Sequence, residues 1–245
     1  MQRYKVKIEY DGTSLVGWQF QKNGLSIQEV LQKAIFNLSR EKVVVTGAGR
    51  TDSGVHALAQ VAHFDLKKKI ENKKLLSGIN QKIENKPIIV LKIDKVSKKF
   101  HARFSAKKRT YIYLIINRQS PLALQKNKAW HIRKKLDIEK MKKGTKLLLG
   151  THDFSTFRAS SCGAKSPVKT MEKVSIKKKK NKIVLSFTSK SFLQQQVRSM
   201  VGCIKCLGDG KWNIEEFKKS FESKKRIECA PPAPACGLYL KNIKY

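Results

Sequence analysis

The chain has 245 residues, 40% of them hydrophobic, with 53 Lys and Arg against 18 Asp and Glu and a net charge of +35. That length and apolar share exclude a disordered tail and allow one large domain or two small ones, each with a real core. The charge creates a field that draws polyanions, nucleic acid first, although runs such as KKKKNK (177–182) read as solvated surface.

The N-terminus opens directly on YKVKIEY (4–10), which alternates Tyr4, Val6, Ile8 and Tyr10 with charged residues. That is a half-buried strand, and it leaves no room for a signal peptide. SIQEVLQKAIFNL (26–38) follows, with Ser26 and Glu29 as a capping box and an apolar stripe at helical spacing. VVV (43–45) and QVAHFDL (60–66) read as strands, 72–81 as a weak helix, and IIVLKIDKV (88–96) as a strand. The second half repeats the order. TYIYLII (110–116) is a strand, 137–149 a helix, and MEKVSIK and KIVLSFTSK a pair of strands about a Lys/Asn turn. Residues 192–207 read as a helix, Asn213 and Glu216 cap another, and GLYLKNI (237–243) closes as a strand. Each half is β-α-β-β-α-β, the second with one additional helix, which is the split βαβ pattern. The expected fold is α+β: two ferredoxin-like units joined into a central mixed, mainly antiparallel sheet with a cleft between them. The boundary falls in KKFHARFSAKKR (98–109), giving an N-terminal domain 1–105 and a C-terminal domain 106–245. Residues 151–170 form a long polar loop of functional rather than merely connecting character.

Between the second and third strand patterns lies GAGRTDSGVHA (47–57). Glycines at 47, 49 and 54 let the backbone turn. The loop presents Arg50 and Asp52 at a sheet end, either as a surface ion pair or as a working carboxylate. FHARFSAKKRTYIY (100–113) interleaves aromatic and basic residues, a pattern suited to stacking on bases while contacting phosphates. Tyr111 and Tyr113 fall on one strand face, and one of the two is expected to be core. Arg198 sits on a mostly apolar helix, so it either reaches the surface or pairs with a buried acid, for which Asp52 is a candidate.

Five scattered cysteines suit a reducing cytoplasm better than secretion. CIKC (203–206) is a lone CxxC in a helical run, a packing element rather than a metal site. No run of about 20 apolar residues suggests a membrane span. Phosphate-loop and dinucleotide fingerprints are missing. What remains is a lone carboxylate with arginines and aromatics, and such a carboxylate serves as nucleophile or base without a cofactor.

EYDGTSLVGWQFQ, GAGRTDSGVHALAQVAHFD, FHARFSAKKRTYIYLI, GTHDFSTFR, SFLQQQVRSMVG and APPAPACGLYL occur in this order from residue 4 to about 243. Together they resemble the tRNA pseudouridine synthase A (TruA) family. The resemblance implies isomerisation of uridine to pseudouridine in the tRNA anticodon stem-loop, at positions 38, 39 and 40, by a cytoplasmic homodimer with one tRNA bridging both subunits. The missing nucleotide, flavin and metal signatures are consistent with this reaction, for which no cofactor and no metal are expected. Asp52 matches the family's catalytic aspartate, and Tyr111 the tyrosine that packs on the target base. Arg50 matches an arginine that helps displace the nucleotide, Arg198 the partner of the aspartate, and Leu238 an apolar contact near the base. Leu15 stands where an aromatic is usual and Gln196 where many members carry Met. The rival readings are a non-catalytic tRNA-binding chaperone on the same fold and a general RNA-binding module. The intact GRTDSGVHA speaks against the chaperone.

Overall fold

Alternation produces the first strand as expected. Tyr4, Val6, Ile8 and Tyr10 are buried along β1 (Gln2–Tyr10) while Lys7 and Glu9 face solvent. α1 (Ile27–Ser39) follows, with the Ser26 hydroxyl accepting the Glu29 backbone N–H and with Ile27, Val30, Leu31, Ala34 and Ile35 buried. The Glu29 carboxylate turns instead to Lys33, one helical turn on. Then come β2 (Thr46–Gly47), β3 (His56–Leu66), α2 (Asn72–Lys82) and β4 (Ile88–Val96). β5 (Lys108–Asn117), β6 (Trp130–Ile132), α3 (Ile138–Leu147), β7 (Gly150–Asp153), β8 (Val168–Lys179) and β9 (Lys182–Ser189) follow, and α4 (Gln196–Gly208), α5 (Ile214–Glu222) and β10 (Leu238–Lys244) complete the chain.

This computed structural model describes residues 1–245, an α+β protein of ten strands and five α-helices. It divides into two units, 1–107 with 239–245, and 108–238. In the first, β1 lies between β3 and β4, antiparallel to both, and β2 pairs with β3. That is the strand order of a split βαβ unit. The last strand joins this unit by pairing in parallel with β3, Tyr239 opposite His56. The Asn80 side chain on α2 both donates to and accepts from the Val90 backbone at 2.9 Å, so the helix occupies hydrogen-bonding groups that an edge strand would otherwise expose. Arg3 grips Asp65 through two 2.8 Å bonds and holds the Lys98 and Phe100 carbonyls with Nη1, which fixes the chain leaving β4.

In the second unit the order is β5-β9-β8-β7, all antiparallel, with β6 parallel to β5. Tyr111 lies opposite Phe187, and Tyr113 opposite Leu185. The Asn213 capping box is complete, each partner accepting from the other's backbone N–H. Phe154 and Phe157, within the stretch 151–170, pack with tilted rings against each other and against Phe221 of α5.

Some expected elements differ. Residues 151–153 and 168–170 lie in β7 and β8, which pair with each other, so the expected loop shortens to 154–167. VVV is not a strand, because α1 captures its backbone: Gln28 donates to the Val45 carbonyl (3.0 Å) and Gln32 accepts the Val45 N–H (3.1 Å). α4 begins at Gln196 rather than Phe192. Gln195 takes a left-handed conformation (φ 60°), and the Gln196 side chain accepts the Leu193 N–H.

Candidate active site

The loop that carries Arg50 and Asp52 belongs to the first unit and is held from both sides. After β1 the chain turns back across it. Trp18 N–H donates to the Thr51 carbonyl (3.0 Å), and Gly54 N–H to the Leu15 carbonyl (3.3 Å). The buried Thr51 hydroxyl bonds the Tyr10 hydroxyl (2.8 Å), and Gln60 donates to the Gly49 carbonyl (2.9 Å). Val55 N–H closes a turn on the Asp52 carbonyl (3.2 Å). Of the loop's three glycines only Gly54 needs a positive φ (76°). Gly17, across the loop, is more constrained. Its φ is +104°, and a Cβ there would stand 2.5 Å from the Thr51 oxygen and 3.0 Å from the Asp52 carbonyl carbon. The backbone on both sides of Asp52 is therefore fixed, while the Asp52 side chain is half-buried and Arg50 is exposed.

The residues behind this loop were absent from the sequence-derived set. Tyr10 and Thr51 are both buried, and an alternating strand followed by a glycine-bracketed turn was the only available signal. His56 stacks on Tyr239 at 4.6 Å, and its Nδ1 accepts the Gly12 N–H.

The aromatic and basic stretch 100–107 lies in the same unit. His101 meets His63 edge-on at 4.8 Å, and Phe104 is 75% exposed with the Arg103 guanidinium over its ring at 5.7 Å. His63 is buried, and its Nδ1 accepts the Ala102 N–H. Burial, reinforced by the charges of Arg3 and His101, pushes its pKa down to about 4.

The second unit carries the other three candidates. Tyr111, on β5, is buried and meets Phe192 edge-on at 5.1 Å. Tyr113 is the core tyrosine of the pair. It is fully buried, its hydroxyl donates to the Pro234 carbonyl at 2.7 Å, and burial drives its pKa up. Arg198 stands in the first turn of α4, half-buried. Its Nε donates to the Ala233 carbonyl (2.8 Å), and the Ala233 N–H returns to the Arg198 carbonyl (2.9 Å). Leu238 is buried where the last 3-10 turn passes into β10. The CIKC cysteines are buried on α4, with Cys203 Sγ 3.5 Å from Cys229 Sγ, both as free thiols. No three His, Cys, Asp or Glu side chains cluster so as to hold a metal ion, and no helix is long and apolar enough to cross a membrane.

The field of this basic α+β chain suits a polyanionic substrate, and the comparison with known families places it among RNA-modifying enzymes. A family model described as tRNA pseudouridine synthase matches residues 7–105 and 145–245, which include Arg50, Asp52, Arg198 and Leu238 but not Tyr111. The chain belongs to that family, and its activity is pseudouridine formation in tRNA. Its relatives include proteins named tRNA pseudouridine synthase A. That of Pelagibacter ubique is 59% identical over the whole of both chains. That of Maricaulis maris is 46% identical over all of this chain and 98% of its own. That of Parvibaculum lavamentivorans is 44% identical over the whole of both.

Proposed function

We propose that this enzyme isomerises uridines 38, 39 and 40 of the tRNA anticodon stem-loop, with Asp52 as the reacting group and without a cofactor, as a cytoplasmic homodimer. One observation carries the assignment of Asp52. The backbone on either side of it is fixed by the Trp18, Tyr10 and Leu15 contacts, so the side chain projects from a defined point on the loop. Defined placement of a reacting group is a large part of what lowers a barrier.

The chemistry asks for such a group. The C1′–N1 bond breaks, the uracil turns, and a C1′–C5 bond forms. The C5 proton leaves and N1 gains one, so there is no net redox change and no phosphate bond is broken. A carboxylate serves this sequence by attacking the sugar, attacking the base, or removing the proton. The base must first leave its stack, at a cost of a few kcal/mol. Arg50 helps displace the nucleotide, Tyr111 packs on the extruded base, Leu238 adds an apolar contact, and Arg198 is the counter-charge expected for the aspartate.

The test is Asp52→Asn, which keeps the shape of the side chain and removes its charge. Tritium release from C5-labelled uridine in tRNA should stop, while filter binding of the same tRNA stays within about threefold and the circular-dichroism melt confirms folding. A folded Asp52→Asn protein that releases tritium at the parent rate would make Asp52 a turn residue and sink the mechanism. Mapping the product by position tests the choice of uridines separately.

A further inference from the structure

At the far end of β5 from Tyr111 the second unit forms a recess of about 330 Å³, lined among others by Asn117, Arg118, Arg133, Lys135, Lys178 and Lys180. Five of these six are cations, all exposed, and none is paired with a carboxylate. They come from three separate segments: the end of β5, the stretch after β6, and the β8–β9 hairpin.

Asn117 fixes those segments to one another. Its side-chain amide donates to the Ile132 (2.8 Å) and Lys134 (2.7 Å) carbonyls, and its side-chain oxygen accepts the Leu136 N–H (3.0 Å). Its own N–H donates to the Asn181 carbonyl in the hairpin turn (2.7 Å). Arg118 uses Nε and one Nη2 proton on the Ser120 and Pro121 carbonyls, which leaves three of its five donors for a ligand. Lys180 occupies a left-handed turn position (φ 53°), a conformation that glycine or asparagine adopts more readily. Like charges on flexible stems spread apart in water. Here a hydrogen-bonded frame keeps the segments that carry them together, and the arrangement suits an anion with several oxygens.

We propose that this recess is a second RNA-binding site, which takes backbone phosphates of the same tRNA outside the anticodon stem-loop. Asn117 acts as its positioning residue. Tyr111 and Asn117 are six residues apart on one strand, which puts the recess about 20 Å from the Tyr111 position. RNA is the favoured polyanion because the proposal rests on the tRNA activity already assigned. The guanidinium forks of Arg118 and Arg133 match phosphate oxygens in pairs.

The experiment uses the full chain carrying Lys178→Gln, Lys180→Gln and Arg133→Gln together, all at exposed positions, with a melt to confirm folding. Binding is measured across a salt series on full-length tRNA and on the isolated anticodon stem-loop. On full-length tRNA the log K against log salt slope should become shallower by about 2, as counterion release at two or three phosphates is lost, and affinity near 0.1 M salt should fall at least tenfold. KM should rise with kcat unchanged, and stem-loop binding should not move. An unchanged slope on full-length tRNA overturns the proposal, and so does an equal loss on the stem-loop, which would place the recess beside the target base. Failure of the parent protein to release tritium would strike the catalytic reading instead and is read separately.

Discussion

Replacing Gly17 by alanine attacks the loop that carries Asp52 without touching any proposed reacting group. The backbone there has φ +104°, which costs an L-residue about 1–3 kcal/mol. The new Cβ would also stand 2.5 Å from the Thr51 oxygen and 3.1 Å from the Ser53 nitrogen. Both are backbone atoms, so no rotamer change relieves the contact. The 3.0 Å bond from Trp18 N–H to that oxygen must lengthen or break, at about 1 kcal/mol more. The sum is about 3 kcal/mol, or a melting temperature lower by about 10 °C at roughly 3 °C per kcal/mol. Asp52 moves with its neighbours, and a displacement near 1 Å is enough to slow chemistry about 100-fold. Calorimetry gives the first number and single-turnover tritium release the second. tRNA affinity should change less than about threefold. A Gly17→Ala protein that melts within 2 °C of the parent and turns over normally would refute the claim that this crossing holds the aspartate.

At Tyr111, loss of the ring and loss of the hydroxyl are separable: Tyr111→Leu should lose far more turnover than Tyr111→Phe if the ring packs on uracil, whereas equal losses would assign proton transfer to the hydroxyl. His63 predicts a pH effect with a definite sign. Its folded pKa of about 4 lies below the ordinary 6.5, so the unfolded chain binds the extra proton first. That stability is complete above pH 6.5 and declines as pH falls toward 4, by up to roughly 3 kcal/mol. Urea titrations of parent and His63→Gln should show the flatter dependence in the variant over that window, and identical slopes would contradict the assignment.

Strong patterns survived translation into structure. β1 alternates because its two faces meet different surroundings, and Ser26 and Asn213 start helices because their side chains satisfy N–H groups the helix leaves unpaired. VVV misleads because β-branched propensity says nothing about where backbone hydrogen bonds go, and two glutamines on α1 take them. The three-residue strand β6 is too short to show a period. At the site, Arg50 and Asp52 were legible as charged residues among glycines. The bracing by Tyr10, Thr51 and Trp18 was not, since those contacts span more than thirty residues of sequence. Likewise KKKKNK reads as a solvated run, and only the cross-links made by Asn117 show that two of its lysines share a recess with Arg118 and Arg133.

The reciprocal bonds between Arg198 and Ala233 bear on when order is imposed. An unrestrained arginine carries about 2 kcal/mol of rotamer entropy, and a surface arginine surrenders it when its ligand arrives. Here the Nε anchor at 2.8 Å sets the plane of the guanidinium as the chain folds. The loss is charged against folding, and on the reading proposed above the aspartate would meet a guanidinium whose plane is already set. Lysine, which lacks an Nε, could supply the charge at this position but not the aim.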